Sequence, residues 1–455
     1  MKIIPQITSL IVVIILININ QIDAQRITIE GNKFMVGDRE IFINGVNTPW
    51  DNWNDFGGNY DHLFWDEEFQ QIREAGGNAS RIWITCNGDV GIDIDELGSV
   101  NGATQAHWED LDDMFALAEK HGIYIMATLT SFDHTKNTYT KYQRWRKMLA
   151  DDEKTGSYID NYVIPFINRY KDNPYLWCID VCNEIEWMHE NSECGNIPWN
   201  RLQYFVARVA TAVHENSNVP VTLGSAAVKW NSDCNGCEGN FWNDANLQSA
   251  YSSSEAFLDF YSPHYYGWVV RWFGNFAVDK TPDDYGINDR PCMVGENPAN
   301  GVYTQDESWN NVLVVPISEA YIKTYQQGWK GLMVWTSNGV DGNGSLAHCG
   351  PGLTAFYNQY PELVFPGSSG SEIRINPNKE VQLWPNPAKN HISINRPEGD
   401  EVLVELYDIY GRQKLSELLY TFENSGIEIS TLQPGIYFAS ITFGKKNSRL
   451  ILLKE

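Results

Sequence analysis

From Arg26 to Pro366 the chain repeats one pattern: a short run of β-branched and other apolar residues, then a longer amphipathic stretch. Such alternation marks successive βα units that feed a parallel sheet. Eight runs qualify as strands: Ile41 to Val46, Ala79 to Ile84, Ile123 to Leu129, Leu176 to Cys182, Val221 to Ser225, Leu258 to Ser262, Cys292 to Gly295 and Gly331 to Trp335. The segments between them carry helical spacing, as in Phe69, Ile72, Arg73 and Gly76 after strand one, or Leu111, Met114, Phe115 and Ala118 after strand two. Gly76 and Gly122 stand where helix C-terminal glycines belong. A third helix is expected over Tyr158 to Tyr170, kinked at Pro165, and a fourth over Trp199 to His214. Eight strands with intervening helices close as a (β/α)8 TIM barrel. The doubly wound alternative wants a phosphate-binding glycine loop after strand one, which this sequence lacks.

A barrel of this kind leaves about 110 of the 455 residues for other work. Lys2 precedes an apolar stretch, densest from Leu10 to Ile17, that is too short to span a bilayer, so residues 1–24 read as a signal peptide cleaved near Ala24 or Gln25. The catalytic barrel is then expected over 25–366. After it, Pro-Gly-Ser-Ser-Gly-Ser opens a flexible linker over 367–380. The tail, 381–455, alternates in strand fashion in Val402-Leu-Val-Glu-Leu-Tyr and Gly435-Ile-Tyr-Phe-Ala-Ser-Ile, and is expected to be a small all-β sandwich.

Charge excludes two classes of partner. With 58 acidic against 33 basic residues the formal net charge is -25, and no basic cluster exists to bind nucleic acid or anionic lipid. No later run is long enough for a transmembrane span. Eight cysteines in an exported chain permit disulfides. Cys86, Cys178, Cys182 and Cys292 lie in strand-like runs, where a free buried thiol is the common state. Cys234 and Cys237 either close on each other or one of them reaches Cys194; zinc is the weaker reading, since no His neighbours them.

Chemistry in a TIM barrel gathers at the C-terminal ends of the strands. Here those ends carry Asn47 and Trp50, Arg81, Asp133 and His134, Asn183-Glu184, His264 and Tyr266, Glu296, and Trp335. Two glutamates facing each other from strands four and seven suit a retaining glycosidase, which needs a protonated carboxyl and an ionised one about 5 to 5.5 Å apart. Arg81 and Tyr266 are placed to keep Glu296 ionised, and a negative Glu296 would raise the pKa of Glu184. Asp180, pointing into the barrel, is expected to make a buried hydrogen bond or ion pair.

Five motifs carry a family resemblance: Gly76-Gly-Asn-Ala-Ser-Arg81, Asn173-Pro-Tyr-Leu-Trp-Cys-Ile-Asp-Val-Cys-Asn-Glu184, His264-Tyr-Tyr266, Val294-Gly-Glu296 and Met333-Val-Trp335. Over almost all of 26–366 the chain resembles glycoside hydrolase family 5, the cellulase- and mannanase-like members of the clan A barrels. The resemblance implies Glu184 as acid/base, Glu296 as nucleophile, Arg81 as its support, and Asn183 as the ligand of the sugar 2-hydroxyl. It also implies that His134 and His264 line the glycone subsite, that Tyr266 bonds Glu296, and that Trp335 is the sugar platform; Trp50 joins them as a further substrate-binding candidate. Two positions depart from the pattern: Ile185-Glu186 follows Glu184 where Pro is usual, and Asn297-Pro298 follows Glu296 where Phe or Trp is commoner.

The tail resembles the type IX secretion sorting domain of Bacteroidetes, through Leu383-Trp-Pro-Asn-Pro387, Val404-Glu-Leu-Tyr-Asp408 with Gly411-Arg412, Leu432-Gln-Pro-Gly-Ile-Tyr437 and the basic stretch from Lys445 to Lys454. That implies the type IX machinery as partner, and release from the cell or attachment to its outer surface. The expected function is a secreted retaining β-glycoside hydrolase acting on a β-linked polysaccharide, first β-1,4-mannan and second β-1,4-glucan, without metal or organic cofactor. The rival readings are a non-catalytic glycan-binding barrel and a cell-surface adhesin.

Overall fold

The computed structural model describes residues 25–454 apart from 235, 274–276, 367–382, 385–387, 395–401, 409–411, 420–426 and 444–445. The expected signal peptide and linker lie outside the described residues. Seven parallel strands run in the order Ser262–Pro263, Val221–Ser225, Leu176–Asn183, Tyr124–Ser131, Ala79–Trp83, Ile43–Asn47 and Gly331–Trp335. The remaining gap is filled by residues 292–298, held on both sides by single parallel bridges: Tyr261 to Cys292 and His264 to Glu296, then Val294 to Leu332 and Pro298 to Trp335. The eighth position is thus occupied and the TIM barrel closes. Backbone bonds cross both seams: Met293 and Gly295 donate to the carbonyls of Tyr261 and Pro263, and Met333 and Trp335 donate to those of Val294 and Asn297.

Register sets the level of the polar side chains. Asn47 lies opposite Arg81, Thr128 opposite Asp180, and Gly224 opposite Asn183, so polar residues from adjacent strands meet at one height inside the mouth. The helices behave as their spacing predicts: Phe69 and Ile72 are buried on His62–Glu74, and Leu111, Met114, Phe115 and Ala118 on Gln105–His121. Gly76 and Gly122 both take positive φ just past these helices. Pro165 is absorbed within a run from Asp152 to Tyr170 by a π-helical stretch, Ile159–Val163, a usual way to place a residue that cannot donate a hydrogen bond.

The sequence pattern did not disclose a three-stranded antiparallel sheet, Ile27–Glu30, Lys33–Val36 and Arg39–Ile41, that precedes the first barrel strand. Phe34 from this sheet meets Trp177 and Phe260 edge-on, with ring centroids 5.3 and 5.0 Å apart. With Ile27, Ile41, Met126 and Met333 they form an apolar cluster that plugs the N-terminal end of the barrel.

The tail folds as two antiparallel sheets. Gln413–Leu419, Val402–Asp408, Gly435–Phe443 and Lys446–Lys454 form one in that order, and Leu383–Trp384, His391–Ile394 and Ile427–Glu428 form the other. Val402, Val404, Leu406 and Asp408 are buried in strict alternation, and a separate core gathers Ile392, Val404, Leu406, Ile441 and Leu452. Cys234 and Cys237 are bonded to each other, while Cys194 and the strand cysteines are free and buried. Among the described residues no helix is long and apolar enough to cross a membrane.

Candidate active site

Arg81 organises the mouth from below. Fully buried, its guanidinium donates to Asp180 (2.9 Å), Asn47 (3.0 Å), Asn183 (2.9 Å) and Glu296 (2.7 Å). Asp180 is the expected structural partner: it also accepts from Thr128 and from the Gly224 amide. There is no room here for a side chain at 224, since a Cβ would lie 2.7 Å from Arg81 and 3.0 Å from His264 Nε2. Because Arg81 occupies the Asn183 carbonyl oxygen, the Asn183 amide group is left to donate into the cavity that it lines.

Glu184 leaves strand four with φ of 48°, a left-handed backbone that typically costs a side-chain-bearing residue about 1–3 kcal/mol. Its amide donates to the Gly224 carbonyl at 2.7 Å, and its carboxyl accepts from Trp187 Nε1 (2.7 Å) and is hydrogen-bonded to His264 Nδ1 (2.9 Å). Opposite it, Glu296 accepts from Arg81 and from the Tyr266 hydroxyl at 2.6 Å. Carboxylate oxygens of the two glutamates lie within 4.8 Å of each other and of His264 Nδ1.

Burial pushes the Glu184 carboxyl up to about 7, against the opposing pull of Trp187 and Arg81. The main cause is therefore desolvation, not the neighbouring Glu296 that the sequence pointed to. Burial raises Glu296 as well, opposed by the Arg81 ion pair and the Tyr266 hydroxyl; both of these donate to Glu296 and neither to Glu184, so the negative charge is favoured on Glu296. Burial lowers His264 to about 4, leaving a neutral ring between two carboxyls, 2.9 Å from Glu184 and 3.5 Å from Glu296. Glu184, His264 and Glu296 also have the spacing of metal ligands. The Nδ1···Oε1 contact of 2.9 Å is that of an ordinary hydrogen bond. One neutral and one charged carboxyl, so close, can give a proton and a carboxylate oxygen to adjacent atoms of one bound molecule.

A cavity of about 460 Å³ opens above the pair. Trp50, Trp335, Asn183 and Tyr266 line it as expected. His264 lies behind the glutamates with none of its surface exposed. His134 is not among the lining residues. It caps the turn after strand three through Ser131, contacts Thr85 Oγ1 at 3.0 Å and packs on Trp145, and burial lowers its pKa to about 3. Its neighbour Asp133 faces the cavity instead. The sequence reading also passed over Trp53, Trp83, Tyr139, Trp187, Trp268, Asp341 and Asn343 as lining residues. Trp83 was legible, two residues beyond Arg81 on the same strand face; so were Trp187 and Trp268, each just past a strand-end site residue. Asp341 and Asn343 sit in the irregular loop after strand eight, where no period marks them.

The two family departures have structural work. Glu186 is fully buried and accepts from Ser225, the Ala226 amide and Trp242 Nε1; Asn297 donates to the carbonyls of Pro298 and Gly301. Both pin the loops that follow the two glutamates.

Residues 382–453 match the family model of the secretion system C-terminal sorting domain. The chain is 24% identical over 375 residues to the mannan endo-1,4-β-mannosidase of Cryptopygus antarcticus, covering 76% of this chain and 93% of the relative. It is 26% identical over 347 residues to the enzyme of the same name from Mytilus edulis, covering 70% and 90%. In fold it is similar to the endo-1,4-β-mannanase of Eisenia fetida, with a TM-score of 0.63 at 24% identity over 73% of this chain and 95% of that one. Fold and relatives define the class: a glycoside hydrolase on a (β/α)8 barrel. The resemblances to family 5 and to the sorting domain, read from sequence, are both borne out, and the sorting domain indicates a secreted or surface-attached protein.

Proposed function

We propose that the chain is an exported endo-β-1,4-mannanase that works with net retention, with Glu184 as acid/base and Glu296 as nucleophile. The observation that carries this is the glutamate pair, within 4.8 Å on strands four and seven, the short separation of a double displacement. Glu184, neutral up to about pH 7, protonates the leaving oxygen while Glu296 attacks the anomeric carbon and forms a glycosyl ester. Glu184, now charged, then takes a proton from the water that breaks the ester. Arg81 and Tyr266 keep the Glu296 oxygens charged and aimed. Asn183 donates to the sugar 2-hydroxyl, and the indoles of Trp50 and Trp335 offer apolar faces to the ring. Mannan as substrate is supported by the names of both sequence relatives. Endo action is supported by the several aromatic residues that line the cavity, one group around Trp50, Trp53, Trp83 and Trp335 and a second pair, Trp187 and Trp268. In this reading residues 1–24 are removed on export, 25–366 catalyse, 367–380 link, and 381–455 engage the type IX machinery.

The test uses a panel of mannans, glucans, xylans and galactans, then the two glutamate variants. Cleavage should centre on mannan. Glu296→Gly should abolish turnover, and azide should restore it with the inverted glycosyl azide as product. Glu184→Ala should still be glycosylated by an activated aryl glycoside, and azide should speed its breakdown to the retained product. The same anomer from both variants, or no azide effect in either, would overturn the assignment.

A further inference from the structure

Helix Gly267–Phe273 starts at the cavity, directly after Tyr266, and carries Trp268 into the cavity wall. Trp268 neighbours Trp187, whose indole N–H holds Glu184, with ring centroids 6.0 Å apart. The helix therefore departs on the side of the proton donor, where the leaving group of the substrate must lie. Four residues on, and so on the same helix face, Trp272 is 63% exposed. Its indole lies beside Trp309, 6.1 Å away and 52% exposed. Trp309 belongs to the turn of a hairpin, Val302–Gln305 with Asn311–Val315, that packs on this helix.

That second indole is held on purpose-built scaffolding. Its backbone has φ of 66°, an outlier for so bulky a residue. Asp306 fixes the turn by accepting from the amides of Ser308 (2.8 Å) and Asn310 (2.9 Å). Arg271 donates to the Asp306 carbonyl at 2.7 Å and lays its guanidinium 3.7 Å from the Trp309 ring centre. Trp309 is thus held in the open, with Trp272 exposed beside it, so that two indoles form one apolar patch.

We infer that Trp272 and Trp309 form a distal glycan platform, continuous with the cavity through Trp268, that binds the leaving-group end of a long β-linked polysaccharide chain. The inference rests on the mannanase reading of the same cavity. Indole faces suit the C–H faces of pyranose rings, and the track begins at the acid and ends in solvent, as a bound polymer must. A short oligosaccharide ends before it; a fibre does not.

The experiment compares the full chain with a Trp272→Ala, Trp309→Ala double variant in two assays: adsorption to insoluble β-mannan, and turnover of a short aryl manno-oligoside. Adsorption should weaken by about tenfold, the loss of one to two aromatic contacts, while kcat/KM on the short substrate stays within about twofold. Unchanged adsorption overturns the platform. So does a shift from dimer to monomer in sedimentation with adsorption intact, since the patch would then bind a second copy of this chain. Failure of the underlying reading is distinct: the unaltered chain would cleave no β-mannan at all.

Discussion

At the N-terminal ends of its strands the barrel is filled with carbon. Trp177, Phe260, Met126 and Met333 pack beneath Phe34 of the small antiparallel sheet, and Trp177 and Phe260 stack at 9° with centroids 5.5 Å apart. A few residues further along the same strands the filling becomes polar: Arg81, Asp180, Asn183, His264 and Glu296 are all buried, and Glu184 stands on a left-handed backbone. The single strand Leu176–Asn183 passes from one regime to the other, from Trp177 through Asp180 to Asn183. Apolar packing at one end stabilises without a geometric demand beyond volume. At the other end charged and polar groups bond one another in a fixed geometry, and desolvated carboxyls are held against their preference for water. The division predicts that the two ends respond to substitution in different observables.

The largest effect is expected at the carbon end. Phe34→Ala removes a fully buried ring with two aromatic partners and should lower unfolding stability by about 3–5 kcal/mol. Turnover per folded molecule at low temperature should not change. Denaturant unfolding and active-site titration measure the two separately; a loss of turnover without a loss of stability would break the comparison, because the plug would then be shaping the mouth.

A smaller, purely functional change is expected at Trp187, whose N–H stabilises the charged form of Glu184. Trp187→Phe takes that donor away, so the carboxyl should keep its proton to higher pH. The alkaline limb of kcat/KM, set by loss of the acid near pH 7, should move upward. A limb that stays in place would assign it to another group.

How much of this was legible follows from the same contrast. The strands and the strand-end ring were readable because β-branched runs and their terminal polar residues recur with the βα period; Arg81, Asn183, Glu184, Tyr266, Glu296 and Trp335 all meet at the mouth. The small N-terminal sheet was not readable, because its strands are three or four residues long and merge in pattern with the first barrel strand. His134 was placed at the cavity because its strand end was right. One residue decides which side chain faces in after a strand gives way to a tight turn, and here Ser131 caps the turn so that Asp133 takes that place. The left-handed φ of Glu184 has no sequence signature at all.

The smallest effect sharpens the comparison most, since it asks whether the mouth is held at the expense of stability. In the folded chain the Glu184 carboxyl takes its proton near pH 7, against an ordinary value of 4.5. Between those values the folded state binds the extra proton and the unfolded state does not, so the contribution present below about pH 4.5 is lost as pH rises through 7. Glutamine stays neutral throughout and, like the protonated carboxyl, offers one accepting and one donating face to His264 and Trp187. Glu184→Gln should therefore match the unaltered chain at pH 4 and exceed it at pH 8, by an amount on the order of 1–3 kcal/mol. Glu186 and Glu68 are also pushed up to about 7, but they titrate alike in both proteins and cancel from the difference. Thermal unfolding at the two pH values decides the matter. Equal stability at both would mean that the ionised carboxyl is well solvated in the folded chain, and the proton held for catalysis would need another cause than burial.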